Sequence, residues 1–321
     1  MFKTQAKPTA FKKKRIKRRG WRRDDTELSL LALPTALWYI IFCYLPMFGA
    51  VIAFKDFRIS GDFIASIINS QWVGLRNFRF LFSSKDIWII IRNTLGYNTV
   101  FIILGVVLPV SLAVMISQLR GRRAAKVYQT AMFLPYFLSW VVVSVITWGF
   151  FSYDKGLVNN LIRISGGQRV HWYMKPEVWP FLLTFLSVWK SLGYGMVIYL
   201  AAITGIDSAY YEAAVIDGAG KFQQVRYITL PVIKPVIIMM FILSVGRIFY
   251  SDFGLFYQVP RDSNSLYNAV YTIDVFVYKQ LKTATVGMAS ASALVQSVVG
   301  CLTILGANRI VKKIDPESAI I

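Results

Sequence analysis

The chain has 321 residues, of which 56% are hydrophobic and 16% charged, with a mean hydropathy of +0.51. That balance excludes an ordinary soluble domain, because several apolar runs reach the ~20 residues that a membrane-crossing helix requires. The net charge is +20, and eleven of the 36 Lys and Arg precede residue 24. Alone, such a run would suit nucleic acid; directly ahead of an apolar run it reads as a cytoplasmic retention signal, so no nucleic-acid partner is expected.

The first apolar run, 28–54, exceeds the roughly 7–15 residues of a signal-peptide core and reads as a retained span. Further spans are predicted over 96–117 (with an apolar lead-in from Ile87), 127–151, Trp179–Thr204, 232–250 and 285–307. Helices are the default, since no barrel-like alternation is present. The expected fold is therefore all-α, a polytopic membrane protein with six transmembrane helices. The basic tail, QLRGRRAAK (Arg120, Arg122, Arg123, Lys126) and the terminal Arg309, Lys312 and Lys313 put both ends inside, N-in/C-in. Lys55, Arg58, Arg76 and Arg79 blur this bias on the other side.

In chain order the sequence divides into a basic cytoplasmic tail (1–27), the first span (28–54) and an extracytoplasmic loop (55–91). A five-helix core (92–307) and a short cytoplasmic tail (308–321) follow. Within the outer loop, the stretch 72–86, with Val73, Phe78, Leu81 and Phe82, reads as an interfacial helix or a receiving surface for another protein. Prolines and glycines within spans, among them Pro135, Pro235 and Gly193, read either as ordinary kinks or as hinges. Cys43 and Cys301 lie far apart in apolar runs, and His171 is the one histidine. Neither a disulfide framework nor a metal site is expected.

Residues 212–231, EAAVIDGAGKFQQVRYITLP, form a polar segment between two apolar runs. Ala209, Ala213 and Ile216 recur at helical spacing, as do Phe222, Val225 and Ile228. Gly218 and Gly220 can end the first helix and turn the chain, and Pro231 suits the first turn of the next span. From these residues alone, a loop helix packing on its own bundle and a docking element are both open. Gly218-Ala219-Gly220-Lys221 is not a phosphate-binding loop, because Val215 and Phe222 stand where that motif needs Gly and Ser or Thr.

Glu212, Ala213, Ala214, Gly218, Ile228, Leu230 and Pro231 together resemble the cytoplasmic EAA loop of ATP-binding-cassette (ABC) importer permeases. The segment 245–261, VGRIFYSDFGLFYQVPR, resembles the polysaccharide-uptake branch of carbohydrate permeases, relatives of the maltose system. The resemblance implies the type I ABC importer permease fold in a bacterial cytoplasmic membrane, with the first span added ahead of a five-helix core. It implies that loop 208–231 couples the chain to two ABC ATPase subunits. ATP and Mg would sit on those partners, with no cofactor on this chain and no enzyme activity of its own. A second homologous permease, making a heterodimer, an extracytoplasmic solute-binding protein and a saccharide substrate complete the implied set. The large outer domain of the bigger maltose-system subunit is absent.

Lys190 falls near the middle of the fourth span, roughly 16–21 Å from either end. A charge there reads as part of a solute path or as half of an ion pair. Trp189, Tyr194 and Tyr199 could offer rings to a sugar, though rings in membrane helices commonly pack or anchor. Arg247 and Asp252, toward the outer end of the fifth span, either pair together or line a vestibule. With Lys190, Arg247 would suit an acidic oligosaccharide. The alternatives are an importer permease for a peptide or amino acid, a membrane-embedded enzyme, and a secondary transporter. The enzyme lacks clustered acid, base or metal groups, and the secondary transporter would show repeated halves.

Overall fold

The computed structural model describes residues 23–59, 61–83, 86–119, 121–283 and 286–314. The basic tail ahead of Arg23, Arg120, Thr285 and the C-terminal stretch beyond Ile314 lie outside the described residues. The chain divides into two compact units at Ala50 and Val51. In the first, α1 (Arg23–Tyr39) runs on through a π-turn, Ile40–Tyr44, and the helical run continues to Phe54.

The second unit begins with a small two-stranded motif. Strand β1 (Lys55–Asp56) pairs antiparallel with β2 (Gln71–Trp72) around α2 (Phe63–Asn69), and α3 (Arg76–Ser83) follows. This two-residue ladder is the one sheet among the described residues. It also explains the basic residues that blurred the charge bias. Lys55 is buried and donates to the Ile67 carbonyl at 2.6 Å, satisfying an acceptor at the end of α2. Arg58 and Arg76 both pair with Asp56, at 3.4 and 3.2 Å.

The bundle consists of α4 (Asp86–Ser117), α5 (Arg122–Phe133), α6 (Trp140–Phe151), α7 (Leu157–Ile164) and α8 (Trp179–Thr204). It continues with α9 (Ser208–Ile216), α10 (Lys221–Gln224), α11 (Leu230–Val245), α12 (Tyr267–Val270), α13 (Ile273–Lys282) and α14 (Val286–Ile314). Among the described residues five helices are long and apolar enough to cross a membrane, or six if one bent pair counts as a span. That pair covers the predicted third span, 127–151, and its two halves meet at 97°, a sharp bend at the proline read as a kink or hinge. Pro135 tightens the chain into a 3₁₀ turn, Leu138 is extended, and Ser139 restarts the helix by accepting from the Val142 amide at 3.3 Å.

The fifth span is shifted from its expected 232–250. Helix runs continuously over Lys221–Val245, through a π-turn at Val225–Thr229, and stops at Gly246. Pro231 therefore lies inside a helix already under way rather than at its start. The wider turn before it accommodates a residue with no amide to give.

Two apolar clusters hold α4 against α8. One gathers Tyr97, Trp179, Leu183, Leu255 and Phe256, and the other Ala113, Met196, Tyr199, Ile203 and Ile233. Large apolar side chains such as Trp88, Phe181 and Phe185 point outward, as expected where the solvent is acyl chain. Small residues set the close crossings. A Cβ on Gly193 would lie 2.1 Å from the Met132 carbonyl of α5, and one on Gly246 would lie 2.1 Å from Ile304 of α14.

Gly193→Val should therefore push α5 off α8 and cost about 1–3 kcal/mol. Gly149→Ala, where nothing lies within 4 Å, should be neutral. Melting temperatures of the detergent-purified complex check this, with a drop for the first variant and none for the second.

Candidate coupling loop and translocation cavity

The segment 207–231 is a folded helix-turn-helix. Asp207 caps α9 by accepting from the Ala209 amide at 3.0 Å. Gly218 ends α9 with φ +78°, a left-handed conformation that glycine adopts without a Cβ penalty. The Ala219 amide reaches back to the Ala214 carbonyl at 2.8 Å. The Gln223 side chain accepts from the Gly220 amide at 2.7 Å, opening α10. Beneath the turn, buried Gln224 donates to the Ala219 carbonyl, and the Tyr211 and Thr229 hydroxyls meet at 2.9 Å.

The sequence-derived coupling residues divide between two surfaces. Glu212, Ala213 and Gly218 are exposed, and Glu212 stands at a 630 Å³ cavity that Gln118, Tyr211 and Lys221 also line. Ile228 is half-buried and Leu230 packs on the Met196 and Tyr199 cluster, while Pro231 is exposed. Around the exposed set stand Tyr210, Val215, Ile216, Phe222 and Tyr227, all more than 60% accessible. The described residues cover none of this apolar face.

The second site lies where the fifth span breaks. Between Gly246 and Phe253 the chain is not helical, yet its carbonyls are met. Asn98 of α4 donates to both Ile248 and Tyr250 at 2.8 Å. Gln296 of α14 donates to Phe249 at 2.9 Å. The Ser251 hydroxyl reaches Thr272 and Asp274. Irregular backbone at membrane depth persists only where protein or a wet cavity satisfies it. Here it borders a 380 Å³ cavity, lined also by Asn98, Ser187, Ser244, Arg247, Tyr250 and Asp252.

Of the sequence-derived path residues, Arg247 and Asp252 line this cavity together, but the structure gives them no ion pair with each other. Asp252 instead accepts from the Trp140 indole at 2.6 Å and from the Gly254 and Leu255 amides at 3.0 and 3.4 Å. Among the described residues no carboxylate pairs with Arg247, which is exposed in the cavity.

Lys190 lies elsewhere and makes no ion pair within the described residues. Its amine donates to the Tyr136 carbonyl at 2.8 Å, at the bend between α5 and α6. It also sits over the Tyr136 and Trp140 rings, 5.3 and 5.4 Å from their centroids. Tyr194 stacks on Tyr136 at 4.8 Å, Trp189 borders a separate apolar cavity with Phe185 and Leu104, and Tyr199 is buried in the core. The sequence reading missed Asn98, Ser187 and Ser244. The available signal was a polar side chain inside each apolar run.

Beyond the break, Arg261 and Asp262 both adopt positive φ, 57° and 51°. The Arg261 guanidinium covers the Trp148 ring at 4.4 Å, and Asp262 pairs with Lys279 at 2.7 Å. Burial pushes the nearby Tyr173 phenol up to about 12, against the opposing pull of Arg261.

A bundle whose helix 221–245 runs unbroken from the 207–231 loop to a polar cavity fits a membrane transport subunit. Residues 105–251 match the family described as the binding-protein-dependent transport system inner membrane component. Protein LplB of Bacillus subtilis is 36% identical over 91% of both chains. The polygalacturonan/rhamnogalacturonan transport system permease protein YteP of the same organism is 33% identical over 90% of this chain and 89% of its own. A solved bacterial ABC transporter involved in the import of the acidic polysaccharide alginate superposes with a TM-score of 0.81. It shows 31% identity and covers 91% of this chain and 97% of that one.

The chain belongs to this family of inner-membrane transport components. It is a multi-pass permease subunit and not an enzyme, and the ATPase of such systems is a separate chain. The resemblance to carbohydrate-uptake permeases, drawn from the sequence, is met by these relatives.

Asn98→Leu removes the donor shared by two carbonyls and should cost about 1–3 kcal/mol for each acceptor left dry. Uptake and melting temperature of the reconstituted transporter should both fall, whereas Asn98→Gln should retain part of each.

Proposed function

We propose that this permease, paired with a second homologous permease, forms the path by which an acidic oligosaccharide from an extracytoplasmic binding protein crosses the membrane. The observation that carries the substrate class is the Arg247 guanidinium, exposed in a cavity that Asn98, Ser187, Ser244 and Asp252 also line, with no carboxylate paired to it among the described residues. Such a cation prefers a carboxylated sugar to a neutral one, and in a confined site that preference exceeds its value in water. The names of YteP and of the alginate transporter, both tied to acidic polysaccharides, point the same way. A related structure holds an alginate pentasaccharide-bound periplasmic protein on its transporter, which supports a binding protein as donor.

In this reading both termini face the cytoplasm. The exposed apolar face around Glu212, Ala213 and Gly218 receives an ATPase subunit, one of two that carry ATP and Mg. Small side chains at 213 and 214 let the partner approach, and Ile216 and Phe222 supply the area to bury.

Arg247→Gln should raise the apparent KM for a uronic oligosaccharide about tenfold and leave a neutral oligosaccharide of equal length unaffected, measured as uptake into proteoliposomes. Equal uptake of both sugars by the unmodified transporter would reject the acidic substrate. Glu212→Arg should release the ATPase subunits during purification without altering the permease's own melting temperature. Retention of those subunits would reject the docking role.

A further inference from the structure

The carboxylate of Asp252 is the natural competitor for Arg247. The two stand five residues apart and line the same 380 Å³ cavity. A free carboxylate there would close on the guanidinium and take the place of an acidic solute. The structure shows why it does not. Oδ2 accepts the Trp140 indole N–H at 2.6 Å, and Oδ1 accepts the Gly254 and Leu255 amides.

The indole is itself fixed from two sides. A Cβ on Gly254 would lie 2.2 Å from the Trp140 ring, so only glycine lets the ring sit this close. The Lys190 amine covers the ring at 5.4 Å while anchored on the Tyr136 carbonyl. The bend between α5 and α6, the middle of α8 and the break in the fifth span thus converge on one side chain.

We propose that Trp140 is a positioning residue for solute specificity. By holding the Asp252 carboxylate, it keeps Arg247 unpaired and the cavity receptive to anions. Gly254 and Lys190 make the indole available for that bond. The consequence for transported sugar rests on the acidic-substrate reading above, but the electrostatic consequence does not.

The test uses the intact transporter in proteoliposomes, with Cys43 and Cys301 replaced by Ser and a single probe, Ser244→Cys, in the cavity wall. The rate of modification by an anionic methanethiosulfonate relative to a cationic one reports the local field. Trp140→Phe, which keeps a ring and loses the N–H, should lower that ratio about tenfold, the size expected when one partly buried charge is newly paired. In an Asp252→Asn background the same Trp140→Phe substitution should leave the ratio within about threefold of the Asp252→Asn value, since no carboxylate remains to be released.

An unchanged ratio in Trp140→Phe overturns the proposal. So does a tenfold fall when Trp140→Phe is added to Asp252→Asn, where no carboxylate is left to pair with Arg247. In the same vesicles Trp140→Phe should raise the KM for a uronic oligosaccharide, with rescue by Asp252→Asn. Should the unmodified transporter not distinguish uronic from neutral sugar, the substrate reading fails while the reagent ratios still decide the role of Trp140.

Discussion

A helix that stops inside a membrane leaves amides and carbonyls that no lipid can satisfy, and each unmet group costs as much as a lost hydrogen bond or more. The fifth span stops at Gly246, and its freed carbonyls are taken up by Asn98 from one neighbouring helix and Gln296 from another. This pairing lets the chain abandon helical geometry and turn Arg247, Tyr250 and Asp252 toward a common space. The other distinctive features follow from it. Gly246 lies against Ile304 so that the break can be reached from the sixth span, and the Ser251 hydroxyl ties the outer limb of the break to Thr272 and Asp274.

The same span reaches the 207–231 loop without interruption. Lys221–Val245 is one helical run of 25 residues, about 37 Å at the usual rise, from the turn at Gly218 and Gly220 to the cavity wall. Packed interiors transmit displacement rather than absorb it. On the proposed docking role, a shift imposed on α9 and α10 would be delivered to the residues on either side of Gly246. Different bonds lie at its two ends: Tyr211 to Thr229 and Gln224 to Ala219 within the loop at one, and Asn98 and Gln296 to the carbonyls just past Val245 at the other. Motion at one end need not break the other.

The spans and the helix-turn-helix loop were legible in the sequence, because apolar run length and the spacing of Gly218 and Gly220 are local signals. The limits of the third and fifth spans were not. Pro135 announced a break, but the 97° angle depends on Ser139 restarting the helix and on Lys190, 54 residues away, accepting the task of holding the Tyr136 carbonyl. Lys190 drew notice as a charge in an apolar run, and its partner is a main-chain oxygen that no sequence pattern marks. The cavity was the least legible feature. Asn98 and Tyr250 are 152 positions apart, and the removal of Asp252 from Arg247 depends on an indole 112 positions upstream. Such juxtapositions follow from helix crossings set by Gly193 and Gly254, not from the residues that meet.

Water access along residues 240–253 tests the account most directly. Single cysteines placed in turn through this stretch of the assembled transporter, in lipid, would be challenged with a membrane-impermeant thiol reagent. The account predicts fast modification at 244, 247 and 250 and protection at 242, where Ile242 is fully buried. Uniform protection from 244 to 250 would contradict it, because the break would then be sealed in protein or lipid and could not border a path for a polar solute.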